Sequence, residues 1–109
     1  VVAYTNEIKE NLLGVCAADI QHYNVVSLPV VEQMAKGVLD LLNADIAVAT
    51  SGIAGPAGGT DDIPVGTICI AVAMKDKVIS QQFQFGKLRD RNITRSTLAA
   101  LVMIKNLIN

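Results

Sequence analysis

Tyr4 and Lys9 stand where a short apolar run, Val1-Val2-Ala3-Tyr4, gives way to a helix-forming stretch. The ends of strands in open α/β sheets are where such folds bind ligands. A lysine held in a poorly hydrated place gives up its proton more readily, because burial disfavours the ammonium form, and it can then act as a base. No carboxylate lies three or four residues from Lys9, so it is not an evident surface ion pair. A solvated lysine on an amphipathic helix is the competing reading, and spacing alone does not choose between them. The second candidate is the stretch Thr50-Ser51-Gly52-Ile53-Ala54-Gly55-Pro56-Ala57-Gly58-Gly59-Thr60, which holds four of the chain's eight glycines. Glycine accepts positive φ and lets a ligand come close to backbone N–H groups. The stretch can therefore offer donors from Gly52, Gly55, Gly58 and Gly59 to an oxyanion or phosphate. A long β-connection that needs glycine to turn is the alternative, and composition leaves both open.

Other groups carry weaker signals. Ser51 opens the glycine stretch and has three readings: a nucleophile, a hydroxyl offered to a ligand, or a turn cap. The nucleophile-elbow pattern G-x-S-x-G fails, because position 49 is Ala49. No Gly-Lys-Ser/Thr follows the loop and the G-x-G-x-x-G order is absent, so neither a P-loop nor a Rossmann fingerprint is present. Arg89 and Arg91 have the fork geometry to clamp phosphate or carboxylate, although the residues alone favour a solvated turn. Asp61-Asp62 has no third ligand in sequence and reads as an exposed acidic turn. His22 is the single histidine, so a Ser-His-Asp triad within the chain would have to use it.

The elements that must position these groups are read from periodicity and punctuation. Val1–Tyr4 reads as the end of a strand. Thr5 or Asn6 can cap a helix carrying Ile8, Leu12 and Leu13 on one face, with Gly14 ending it. Residues 17–23 are compatible with a short helix. Ser27 is expected to cap a longer one, with Pro29 in its first turn and Val31, Met34, Ala35, Val38, Leu41 and Leu42 at helical spacing. Ile46–Thr50 follows as a strand buried on both faces. Val65–Met74 and Lys77–Phe85 read as two strands joined at Lys75-Asp76, the second nearer a sheet edge because its alternation is weaker. A last helix is expected from about Asp90 to Leu107, with Ile93, Thr97, Leu101, Ile104 and Ile108 facing the core. The order describes a mixed sheet with helices packed on it, an α/β domain.

Composition narrows the function classes. The chain of 109 residues is one domain, 51% hydrophobic and 4% aromatic, with a net charge of −1. Aliphatic excess without aromatics suits buried strands covered by helices. No apolar run approaches the ~18 residues of a membrane span. Near-neutral charge favours neither nucleic acid nor an anionic membrane. Cys16 and Cys69 are far apart, show no metal-ligand spacing and fit reduced thiols in a cytoplasmic setting. The chain starts without Met, inside a strand-like run, so further polypeptide is expected N-terminal to residue 1.

Several stretches together closely resemble the C-terminal domain of the CinA family. They are Val2-Ala3-Tyr4-Thr5-Asn6-Glu7-Ile8-Lys9, Leu13-Gly14-Val15, Val26-Ser27-Leu28-Pro29-Val30-Val31, the loop Ser51–Thr60 and Pro64-Val65-Gly66-Thr67. The match spans essentially residues 1–109. The resemblance implies a three-layer α/β/α sandwich with a mixed sheet, and an amidase active on the carboxamide of nicotinamide mononucleotide in pyridine nucleotide salvage. It implies a Ser/Lys mechanism with no metal and no cofactor, a small-molecule nucleotide as partner, and a homo-oligomer. Carried onto this sequence, Lys9 is the general base and Tyr4 the residue that polarises and positions the reacting groups. Ser51 stands where the family usually has Thr and supports substrate or oxyanion. Arg89 resembles the family's arginine before the last helix, a phosphate partner, although Gly86-Lys87-Leu88-Arg89 departs from the usual Gly-Asp-Arg by an insertion. The family's nucleophilic serine lies in an Ala-Glu-Ser-Cys/Thr-Thr-Gly-Gly segment that residues 1–109 do not contain. The expectation is an amidase domain lacking its N-terminal segment, inactive and aggregation-prone when made alone. The alternative is a non-catalytic nucleotide-binding or regulatory module of a larger CinA-type protein.

Overall fold

The computed structural model describes residues 1–108. Their elements are α1 (Asn6–Asn11), α2 (Ala17–Tyr23), α3 (Leu28–Leu41), β1 (Ile46–Gly52), β2 (Thr67–Met74), β3 (Lys77–Gln84) and α4 (Arg89–Ile108). The sheet runs β1-β2-β3 with antiparallel neighbours throughout. Ile46 lies opposite Met74 and Gly52 opposite Ile68; a turn at Lys75-Asp76 then brings Lys77 opposite Met74. β2 is central and buried along nearly its whole length, whereas β3 is an edge with much of its surface exposed, as its weaker alternation suggested.

Side chains alternate between the two faces of a strand, and here they are sorted by size. Ala47, Ala49, Cys69, Ala71 and Ala73 face α3, which supplies the bulk: Val30, Val31, Met34 and Leu39. Ile68, Ile70 and Val72 face α4, which answers with Ala100 and Met103. Each fully buried Val or Ile of this kind contributes about 1.5–3 kcal/mol through removal of apolar surface from water. The result is a layered α/β domain with a helix on each face of the sheet.

Several expectations are corrected. Val1–Tyr4 forms no strand, and Val1, Val2 and Tyr4 are exposed. β-propensity is realised only where a neighbouring strand and a covering layer are there to pack against. With no parallel pair among the described strands, the sheet is antiparallel, not mixed. β1 is buried on its α3 face alone, since Val48 and Thr50 on the other face are exposed. Ser27 holds the N-cap position of α3, its carbonyl accepting the Val31 N–H at 3.0 Å, but its hydroxyl makes no cap bond and donates instead to the Asn24 carbonyl at 2.7 Å. Leu41 and Leu42 lie at the exposed end of α3. On α4 the buried residues are Asn92, Ala100 and Met103, while Ile93, Leu101 and Ile108 are exposed. Ile104, from the expected face, and Leu107 pack partly buried against the same β2 layer beside Met103.

Candidate functional site

β1 pairs with β2 on one side and, among the described residues, has no strand on the other. Two cavities open along that free edge. One, of about 560 Å³, lies towards α1 and is lined by Tyr4, Lys9, Met34 and residues 48–52. The other, of about 720 Å³, lies towards α4 and includes Thr50, Ser51, Gly52, Arg89, Asn92, Ser96 and Thr97 in its lining. Val2, Val48, Thr50, Ser51 and Gly52 border both, so the cavities form one trough with the β1 edge as its floor.

Lys9 reaches this trough through a chain of local causes. Thr5 caps α1, its Oγ1 accepting the Ile8 N–H at 3.2 Å. The helix buries no residue of its own. Leu13 and Val15, just beyond it, are buried and anchor it, and the Val15 N–H closes on the Lys9 carbonyl at 2.9 Å. Gly37 allows α3 to lie directly against this anchor, because a Cβ there would overlap the Leu13 carbonyl. Held in this way, Lys9 is half-buried, and burial pushes its ammonium pKa below the ordinary lysine value. Tyr4 lines the same cavity but is 87% exposed.

The glycine segment begins later than its composition implies, since β1 runs through Ser51 and Gly52. Gly52 must be glycine: an added Cβ would stand 2.5 Å from Ile68 Cδ1 and 2.6 Å from the Thr67 carbonyl oxygen. The Ser51 hydroxyl turns to the α3 side and donates to the Val25 carbonyl at 3.1 Å. Gly55 is buried at φ +94°, and its carbonyl accepts from Arg89 Nη1 at 3.1 Å. Gly58 and Gly59 are exposed and border neither cavity; Gly59 instead leaves space for the Val65 N–H. The trough thus gathers Tyr4, Lys9, Ser51, Gly52 and Arg89. Gly55 supports Arg89 from behind, and Gly58 and Gly59 lie outside. Arg91, Asp61 and Asp62 are exposed and border neither cavity.

Sequence reasoning missed Thr50 and Asn92. Thr50 alternates with Ser51, so its side chain takes the open α4 face of β1. Asn92 is fully buried; its Nδ2 donates to the Ala54 carbonyl at 2.9 Å and the Gly86 carbonyl at 2.8 Å. The available signal was the row Asn92, Ser96, Ala100 and Met103, small or flexible residues at helical spacing. It was hidden because the larger apolar residues of α4 drew the eye to another face.

What this arrangement can do is limited by what lines it. One wall presents an amine whose protonated form is disfavoured by burial. The other presents a guanidinium at the N-terminal end of a long helix, where unpaired N–H groups and the helix dipole both favour an anion. Between them lies an open strand edge. The trough suits a ligand with an anionic end and an electrophilic or acidic centre.

The sequence pattern of the CinA C-terminal domain matches residues 1–108. A CinA-like protein of Shewanella sp. (strain W3-18-1) is 48% identical over 101 residues, covering 93% of this chain and 24% of that protein. A protein of Shewanella oneidensis named nicotinamide-nucleotide amidohydrolase PncC is also 48% identical, with the same coverage. The chain therefore spans about a quarter of the length of the curated relatives it matches, 24% in each of these two. Among solved structures, the competence/damage inducible protein CihA of Agrobacterium tumefaciens superposes with a TM-score of 0.93 at 33% identity, covering 97% of this chain and 66% of that one. A competence damage-inducible protein of Klebsiella pneumoniae superposes with a TM-score of 0.89 at 32% identity, covering 95% and 65%. No helix among the described residues is long and apolar enough to cross a membrane.

Proposed function

We propose a function from the premise that this chain belongs to the CinA family, as a C-terminal domain of that family: in the complete protein it binds a pyridine mononucleotide and hydrolyses its carboxamide. The products are nicotinic acid mononucleotide and ammonia. One observation carries this reading. Lys9, with its pKa lowered by burial, borders the same trough as the Gly52 end of β1. The name of the Shewanella oneidensis relative supports the choice of substrate.

In the proposed chemistry a serine hydroxyl attacks the amide carbon, and the neutral Lys9 amine takes its proton. The amine then returns the proton to the departing nitrogen as the C–N bond breaks, leaving an ester and ammonia. Water, deprotonated by the same amine, hydrolyses the ester and frees the acid. The family segment that carries the attacking serine is not within residues 1–109, so the proposal concerns the complete protein. Arg89 takes the phosphate with the N–H groups it does not give to Gly55, assisted by the N-terminus of α4. Tyr4 closes over the reacting end. Gly52 supplies close backbone approach, and Gly55 steadies Arg89. Ser51 serves through its main chain, because its hydroxyl is committed to Val25. Gly58 and Gly59 shape the loop. The setting proposed is cytoplasmic, in a homo-oligomer.

The test is Lys9→Ala in the complete protein. Ammonia release from nicotinamide mononucleotide should fall by about 10²–10⁴-fold, the usual contribution of a general base, while the dissociation constant for the nucleotide stays within a factor of three of wild type. In the wild type kcat should rise with pH as the amine loses its proton. Wild-type turnover by the variant would reject Lys9 as the base. Nucleotide binding without ammonia release by the wild type would favour a binding module instead.

A further inference from the structure

We propose that Asn92 is a positioning residue that locks the glycine segment and the turn ahead of α4 into one frame, and that its two amide N–H groups do this rather than its bulk. Its side chain is fully buried beside the α4 cavity. From one nitrogen it reaches Ala54 on the glycine segment at 2.9 Å and Gly86 on the turn at 2.8 Å. Both acceptors are carbonyls, so the amide orientation is unambiguous: only the NH₂ end can face them. The other end, Oδ1, is buried without a partner among the described residues. A buried acceptor left alone is unfavourable. What Asn92 contributes here is therefore its donors, and asparagine is the shortest side chain that puts two N–H groups on one atom.

The consequence reaches the trough. Arg89 draws in the Gly55 carbonyl from the same helix, at 3.1 Å. Two successive carbonyls of the glycine segment are thus held against α4. In the trans Ala54–Gly55 peptide the N–H lies opposite the C=O, so the Gly55 N–H is fixed pointing away from α4. Asn92 also sits one turn after Arg89, so the guanidinium proposed to take phosphate and the segment it grips share one rigid support. The effect on substrate rests on the proposed function; the clasp itself does not.

The first measurement needs no variant. In the complete isotope-labelled protein, NMR should show both side-chain N–H protons of Asn92 protected from exchange with solvent, at least a hundredfold slower than those of exposed Asn11. Rapid exchange of that pair would overturn the clasp. Asn92→Leu keeps the size and removes both donors, and Asn92→Asp keeps the shape and replaces them with an acceptor. In each, backbone order parameters at Ala54, Gly55 and Gly86 should drop from the rigid value of about 0.85 towards 0.6. The Asp variant should recover order as pH falls, because the protonated acid regains one O–H donor; the Leu variant should not. In whichever variants fold, unchanged order at these residues would overturn the proposal. If the wild type binds nicotinamide mononucleotide, Asn92→Leu should raise its KM tenfold or more with a smaller change in kcat. If it does not bind, the functional reading fails, and the exchange and order data still decide the clasp.

Discussion

The two faces of the sheet are built to different standards of closure. Under α3, Val30, Val31, Ala35, Cys69, Ala71 and Ala73 are all fully buried. Under α4, the helix packs mainly on β2 and leaves the outer part of β1 open, with Val48 38% exposed and Leu101 57% exposed. The contrast separates two tasks. The closed face supplies the rigidity that fixes α1, and with it Lys9. Among the described residues, the open face carries an unpaired strand edge and a helix end. Among these residues, tight packing is concentrated on one side of the sheet and the α4 cavity of the candidate trough lies on the other.

Four changes would break or sharpen that contrast, beginning with the strongest. Gly37→Val should prevent folding, at a cost above about 4 kcal/mol, because its side chain would occupy the Leu13 backbone; a cooperative melt near the wild-type temperature would contradict this. Leu39→Ala on the closed face should lose about 2–5 kcal/mol in urea titration, whereas Leu101→Ala on the open face should stay within about 0.5 kcal/mol. Equal losses would erase the distinction. Thiol titration should find Cys16, which is exposed, reactive in the native protein. Cys69 should react only on unfolding, since burial both shields its thiol and raises its pKa. The smallest effect is that of Lys9 on stability. Its folded pKa lies below its unfolded one, so in the window between them the unfolded chain holds a proton that the native state has lost. Stability attributable to this group therefore rises with pH across that window. The slope should disappear in Lys9→Met, and it should amount to less than about 0.5 kcal/mol, because much of the side chain remains hydrated.

The closed face was largely legible in the sequence. The spacing of Val31, Met34 and Ala35 named most of the buried stripe of α3, and Lys75-Asp76 marked the hairpin. Residues 17–23 formed the helix they allowed. The open face was not. Of the apolar residues at helical spacing on α4, Ile104 packs against the Ile68, Ile70 and Val72 layer, whereas Ile93, Leu101 and Ile108 are exposed and the buried positions are Asn92, Ala100 and Met103. Hydrophobic periodicity reports which residues dislike water; it does not report how much room the opposing layer leaves. Val1–Tyr4 and the outer face of β1 differ for a related reason, since both patterns have strand character but lack a covering layer among the described residues. In the site, Lys9 and Arg89 were singled out through the family resemblance, because the residues alone left Lys9 undecided and favoured a solvated turn for Arg89. Thr50 was lost because its orientation depends on the parity of a strand that runs through Gly52.

The size sorting on β2 also protects its alignment. Sliding the strand by one residue would drive Ile68, Ile70 and Val72 beneath α3, against a surface shaped for alanine and cysteine, and would leave hollows beneath α4. Misaligned hairpins therefore meet overlap on one side and emptiness on the other.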